Sequence, residues 1–231
     1  MPAKSTGPKP DALAVIILAA GASRRMGRSK LLLPWNGTTV IGHLIARWRA
    51  LSAAQTAVVC RADDEELAAE LDRLHFPRNL RITNPKPERG MFSSIQCAAQ
   101  WNGWRKGLTV WAILLGDQPH LHPATLRALL DFQRARPRAI CQPVYAGHRR
   151  HPVLLPRRVF AALRRSRAIT LKDFLQQSEA PRAECPLTDP GLDLDLDYPE
   201  DYERAQELVP EMDHNPKRNR RPAQSCDKNK Q

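Results

Sequence analysis

No apolar run in this 231-residue chain approaches the roughly 18 residues that a membrane-crossing helix needs, so no membrane span is expected. The longest candidate, Leu13 to Ala20, has the length of a strand. Residues 1–11 hold no apolar stretch ahead of a cleavage-like site, which speaks against a secretory signal. The five cysteines (Cys60, Cys97, Cys141, Cys185 and Cys226) are scattered and form no CxxC pair. A disulfide framework and a structural zinc site are therefore not expected, the cysteines read as packing residues, and the chain reads as a reduced, cytoplasmic protein. No Walker A loop, no GxGxxG, and no Ser-His-Asp or Cys-His arrangement is present, and no internal repeat. His151 has no second histidine at metal-ligand spacing, so zinc is not implied there either.

Positive charge, by contrast, is in surplus: 36 Lys and Arg face 24 Asp and Glu, a formal net charge of +12. A surplus of this size suits nucleic acid, phosphate-bearing small molecules, or simply a solvated basic surface. Its distribution narrows the choice. Residues 212–231 carry six basic and two acidic residues with almost no apolar anchor, and residues 1–11 carry two Lys and one Asp. Both ends read as flexible termini around one domain spanning 12–211. Inside that domain, residues 132–172 hold eleven Lys or Arg and no acid, whereas 189–211 hold nine acids and one base, Arg204. No recognition-helix, zinc-finger or RNP pattern accompanies the charge, so nucleic acid is not the expected partner.

The 42% of hydrophobic residues suffices for a packed core, and their spacing alternates between two periods. Leu13 to Leu18 and Leu108 to Leu115 are continuous apolar runs, as strands buried on both faces require. Shorter strands are expected at 56–60, 80–83 and 139–144, an extended segment at 151–155, and a further strand at 192–196. Helical spacing covers 38–51, 63–74, 93–101, 122–134, 157–165, 170–176 and 199–208. Strands alternating with helices to about residue 144 predict an α/β fold with a mostly parallel sheet covered on both faces. In such sheets ligands bind outside the carboxyl ends of the strands, so the residues just after each strand carry the functional reading.

Three such places stand out. The turn Leu18-Ala-Ala-Gly-Ala-Ser-Arg-Arg-Met-Gly-Arg-Ser-Lys30 combines small residues, which let backbone N–H groups approach an anion, with four cations at Arg24, Arg25, Arg28 and Lys30. It reads as a phosphate site or as a basic surface loop. After the apolar strand comes Gly116-Asp117-Gln118-Pro119, where Asp117 either offers oxygen to a hard cation or begins a turn. Finally, Leu192-Asp-Leu-Asp-Leu-Asp197 alternates, so one strand face is apolar and the other carries Asp193, Asp195 and Asp197. Like charges so arranged need a cation nearby, unless this is a solvated edge strand before a capped helix. Trp35 and Trp101 serve packing or line a cleft.

The first of these motifs, LAAGASRRMGRSKLLLPW, resembles the signature of nucleoside triphosphate transferases, and in particular of the molybdenum cofactor cytidylyltransferases and guanylyltransferases. GDQP and the DLDYPED segment resemble that family's metal-binding stretches in the same order, and LAAG with Leu33-Pro-Trp resembles its cytidylyl branch. The resemblance spans about Leu13 to Leu208. It implies a three-layer Rossmann-like nucleotidyltransferase fold and transfer of CMP from CTP to the phosphate of molybdopterin, with release of pyrophosphate. It implies that Leu18, Ala19, Ala20, Gly21, Arg25, Lys30, Gly90 and Ser94 hold the nucleotide, with Lys30, Arg25 and Asp117 catalytic. It further implies that Asp117 and Asp197 hold Mg²⁺, with Asp195 in reserve, and that His151 and Pro152 of a GHPVL-like segment meet the acceptor. Arg150 stands where that family has Gly, and Tyr198 where it prefers Thr. Ser93 and Ser94 either cap a helix or touch ligand. Competing readings are a same-fold transferase using GTP or a sugar-phosphate acceptor, and a non-catalytic cofactor chaperone; a molybdoenzyme would be a transient partner.

Overall fold

The computed structural model describes residues 12–21 and 26–208. The expected flexible ends, 1–11 and 212–231, lie outside these residues. The sheet is assembled around β1 (Ala12–Leu18), which pairs in parallel with β4 (Gln55–Arg61) on one side and with β6 (Leu108–Leu115) on the other. β4 continues to β5 (Arg81–Asn84), again in parallel. Beyond β6 the direction changes: β9 (Val153–Pro156) runs antiparallel to β6 and touches β7 (Ile140–Tyr145). β7 pairs in parallel with β10 (Arg182–Pro186) and antiparallel with the short β8 (His148–Arg149). The resulting order is β10-β7-β9-β6-β1-β4-β5, with β8 on the β7 side.

Helices cover both faces because successive residues of the central strands point opposite ways. Leu13, Val15 and Ile17 of β1 face the layer made by α1 (Val40–Ala50), α2 (Glu65–Arg73), α4 (Pro123–Arg134) and α7 (Pro199–Glu207). Ala14 and Ile16 face the other layer, built from α3 (Met91–Gln100), α5 (Arg157–Ala162) and α6 (Leu171–Gln177). The α/β/α expectation therefore stands. Local signals set the helix starts: Thr39 accepts a hydrogen bond from the Gly42 amide at 3.2 Å, and Asp64 from Leu67 at 3.1 Å.

Several boundaries differ from the sequence reading. Residues 192–196 are not a strand. A 3₁₀ turn over Pro190–Asp193 precedes an extended stretch that pairs with no described strand. Its leucines are still buried and Asp193 and Asp195 still exposed, so the alternation reports burial rather than pairing. The strand in that region is β10, whose Arg-Ala-Glu-Cys-Pro carries almost no apolar signal. Thr38 and Thr39 belong to a small hairpin, β2 (Pro34–Trp35) with β3 (Thr38–Thr39), turned by Asn36 and Gly37 at φ 45° and 76°. Asn-Gly is the dipeptide that such tight hairpin turns favour, a signal present in the sequence. Trp35 is buried at 3% exposure against His43, His120 and Tyr202, and Trp101 packs edge-on to Trp104. The packing reading holds for both.

Core position decides what truncation costs. Ile16 is fully buried at the centre of the sheet, whereas Ile169 is 83% exposed. Ile16→Ala is expected to lower unfolding free energy by about 2–5 kcal/mol, and Ile169→Ala by no more than about 0.5 kcal/mol, measured by urea denaturation.

Candidate active site

The strand order reverses at β1, between β4 on one side and β6 on the other, and the carboxyl ends there open a cleft of about 780 Å³. Its floor is Leu18, Ala19, Ala20 and Gly21, which follow β1, together with Gly116, which follows β6. The two strand ends are tied by the Gly116 amide donating to the Leu18 carbonyl at 3.1 Å. A side chain at Gly116 would stand 2.7 Å from that carbonyl oxygen and 2.8 Å from Leu31, so only glycine permits this approach. Gly90, at φ 86°, and Ser94 form part of the opposite wall.

Lys30 reaches the cleft because its neighbours pin the chain: Leu31, within the short turn Lys30–Leu32, and Leu33, just after it, are buried. Its ammonium bonds Asp117 Oδ2 and lies 3.4 Å from Asp197 Oδ1. Burial works against the ammonium, but the charge and hydrogen bond of Asp117, followed by those of Asp197, outweigh it and hold the lysine above its ordinary range. Asp117 Oδ1 is buried without a hydrogen-bond partner among the described residues. Asp195 accepts from Gln118 Nε2 at 2.9 Å. Its carboxyl is pushed up to about 6, first by desolvation and then by the charge of Asp117, although the residue keeps contact with solvent. Two carboxylates thus meet one ammonium at the sheet edge, and a third, Asp195, lies within reach of their charges.

The acidic segment is held there by its own hydrogen bonds. Leu196 donates its amide to the Asp117 carbonyl at 3.2 Å. Asp189 accepts from His122 N, Thr125 Oγ1 and Gly191 N at 3.1, 2.6 and 2.9 Å. The amide of Tyr198 donates to Asp201 Oδ2 at 2.9 Å and the Asp201 amide to the Tyr198 carbonyl at 3.1 Å, so the first turn of α7 closes with tyrosine at 198.

These residues fit a hard divalent cation. A partnerless buried carboxylate oxygen at Asp117, a second carboxylate at Asp197, and a cation already bridging the two describe a place for positive charge. No group of three or more His, Cys, Asp or Glu among the described residues is arranged to enclose a metal. A cation of the magnesium type needs only one or two carboxylates when phosphate and water complete its shell.

Of the residues expected in the site, Leu18, Ala19, Ala20, Gly21, Lys30, Gly90, Ser94 and Asp117 line this one cleft, and Asp197 joins through Lys30. Arg25 lies outside the described residues. Ser93 is structural: it accepts from Asn84 Nδ2 at 2.8 Å and donates to the Gly90 carbonyl at 2.7 Å. His151 and Pro152 do not line the cleft. They lie beyond Asp117, where the β6–β9 register, Ile113 opposite Val153, brings the chain back beside β6. Arg150 keeps a backbone outside the left-handed region, donates its amide to the Pro143 carbonyl at 2.9 Å, and pairs with Asp193, so glycine is not needed there. Arg61, Asp63 and Glu88 also line the cleft. None of the three stands out in the sequence, although Arg61 ends the second parallel strand, where ligand contacts are expected.

Burial pushes the His151 imidazole down to about 4, against an opposing pull from Asp117. The unfolded chain therefore takes up a proton near the ordinary histidine value of 6.5 that the folded chain refuses until about 4. Stability is lost as pH falls through that window, and His120, likewise pushed down by burial, adds to the loss. In urea titrations at about pH 7 and about pH 4.5, His151→Gln is expected to lose less stability than the parent. Equal losses would remove His151 as a source.

Known proteins share this architecture. The chain is 32% identical over 130 residues to the bifunctional protein GlmU of Clavibacter sepedonicus, covering 55% of this chain and 26% of that protein. It therefore spans about a quarter of the length of that relative. It is also 32% identical over 123 residues to the molybdenum cofactor guanylyltransferase of Pseudomonas paraeruginosa, covering 51% of this chain and 54% of that protein. Among solved structures, Rv0371c from Mycobacterium tuberculosis superposes with a TM-score of 0.68 at 27% identity, over 86% of this chain and 99% of that one. Rv0371c has also been solved in complex with manganese, with a TM-score of 0.63 at 25% identity, over 86% of this chain and all of that one (100%). Residues 15–182 match the MobA-like NTP transferase domain, and the chain belongs to that nucleotidyltransferase family.

Proposed function

We propose that the protein transfers CMP from CTP to the terminal phosphate of molybdopterin and releases pyrophosphate. The observation that carries this reading is the Lys30 ammonium bonded to Asp117 and 3.4 Å from Asp197 at the edge of a cleft floored by small residues. The family match supports nucleotidyl transfer, and the LAAG and Leu33-Pro-Trp motifs support CTP as donor. GTP is the second reading, favoured by the 32% identity to a guanylyltransferase.

In the reaction an oxygen of the acceptor phosphate attacks the α-phosphorus. One P–O bond forms there, the bond to the bridging α–β oxygen breaks, and pyrophosphate leaves with the electron pair. Both reactants are anions, so the protein's task is positioning and charge neutralisation rather than covalent chemistry. The backbone of Ala19 to Gly21 lets phosphate oxygens approach closely, and Lys30 exchanges its carboxylate partners for them. Arg25 would add a second cation on the same turn. Asp117 and Asp197 would hold Mg²⁺, which supplies charge neutralisation on the phosphates. The acceptor approaches from the β6–β9 side, where His151 and Pro152 lie beyond Asp117.

With CTP, Mg²⁺ and molybdopterin, Asp117→Ala is expected to fold normally and to lose pyrophosphate release by at least about a hundredfold, the scale on which removal of a charge-stabilising group slows such reactions. Circular dichroism checks the fold. Full activity in the variant overturns the mechanism, and release that is faster with GTP than with CTP replaces the donor assignment.

A further inference from the structure

On the β4 side of the cleft, across β1 from Asp117, Arg61 and Asp63 form a bidentate ion pair. Arg61 Nε donates to Oδ1 at 3.0 Å and Nη2 to Oδ2 at 2.9 Å. Both residues line the cleft. The arginine side chain is only 26% exposed although it ends a surface-directed strand, and its partner is 74% exposed. The pairing uses one side of the guanidinium. No described residue accepts from Nη1, so the outer side, Nη1 and the remaining Nη2 hydrogen, stays available as a parallel pair of donors in a plane fixed by Asp63.

Position gives this pair its meaning. Lys30, Gly116 and Asp117 occupy the phosphate end under the function proposed above, on which this inference rests. A nucleoside triphosphate with its phosphates at that end extends its base along the ends of β1 and β4, which is where Arg61 stands. We propose that the outer edge of the Arg61 guanidinium reads the base, accepting only one that presents two adjacent hydrogen-bond acceptors, and that Asp63 is the residue that positions it. Cytosine offers such a pair at N3 and O2, and guanine at O6 and N7. Uracil alternates acceptor, donor, acceptor, and adenine sets a donor beside each ring acceptor on its pairing edges, so neither satisfies the fork. Lysine cannot replace arginine here, because a single ammonium makes no planar two-donor contact.

The test is equilibrium binding of CTP, UTP, GTP and ATP, each with Mg²⁺, to the full chain and to Arg61→Lys, Arg61→Ala and Asp63→Asn. The parent is expected to prefer CTP over UTP and GTP over ATP. Both Arg61 variants should weaken the preferred nucleotide by roughly 5- to 150-fold, the range for one bidentate base contact, and shift UTP and ATP by no more than about twofold. Asp63→Asn should fall between parent and Arg61→Ala. A uniform weakening of all four nucleotides, an unchanged ratio, or a parent that binds UTP as well as CTP and ATP as well as GTP overturns the assignment of Arg61 while leaving nucleotide binding in place. A parent that binds none of the four overturns the proposed function itself, and this inference with it.

Discussion

Asp117, Asp195 and Asp197 converge on the carboxyl edge of the sheet, and in the free protein their repulsion is relieved by the ammonium of Lys30, which bonds Asp117 and lies 3.4 Å from Asp197. Three stretches of chain far apart in sequence are drawn together at that ammonium: the turn after β1, the end of β6, and the acidic segment before α7. The carboxyl of Asp195 is raised first by burial and then by the charge of Asp117, even with the lysine present. A site built this way favours added positive charge and, with its lysine released, added phosphate.

The scaffold holds this arrangement through backbone contacts that tolerate little change. The Gly116 amide bonds the Leu18 carbonyl, and the Leu196 amide bonds the Asp117 carbonyl, so the carboxylates are positioned by hydrogen bonds at strand ends rather than by loop contacts alone. Burial of Leu31 and Leu33 fixes the lysine. Charge segregation in the chain then acquires a physical role. Acids of the segment 189–201 are spent on the site and on its supports, while the basic stretch 132–172 supplies Arg150 to Asp193 and Arg149 to Glu184.

Much of this was legible in the sequence, for reasons that differ by element. β1 and β6 announced themselves because a strand covered on both faces must be apolar throughout, and Asp117 followed because it ends such a run. The cleft floor after β1 was legible through its small residues, and Lys30 through its charge beside them. β10 was not, because an edge strand carrying Arg, Glu and Pro lacks the apolar pattern that identifies a strand. The leucine–aspartate alternation misled in the opposite sense: side-chain burial has period two in any extended chain, whereas strand pairing requires a partner that 192–196 does not have among the described residues. Arg61 and Asp63 escaped notice because a charge pair split between a strand end and the following turn has no distinctive spacing, and only the folded cleft gives it a direction.

Under the proposed function, the position between Asp117 and Asp197 is a cation site that Lys30 holds in the free protein. The direct measurement is a crystal structure with a non-hydrolysable CTP analogue and Mn²⁺, using the anomalous signal to locate the metal. A peak between the two carboxylates, with the Lys30 ammonium moved onto phosphate oxygens, is the predicted result. A metal bound elsewhere, or Lys30 still bonded to Asp117 with the nucleotide in the cleft, would contradict it.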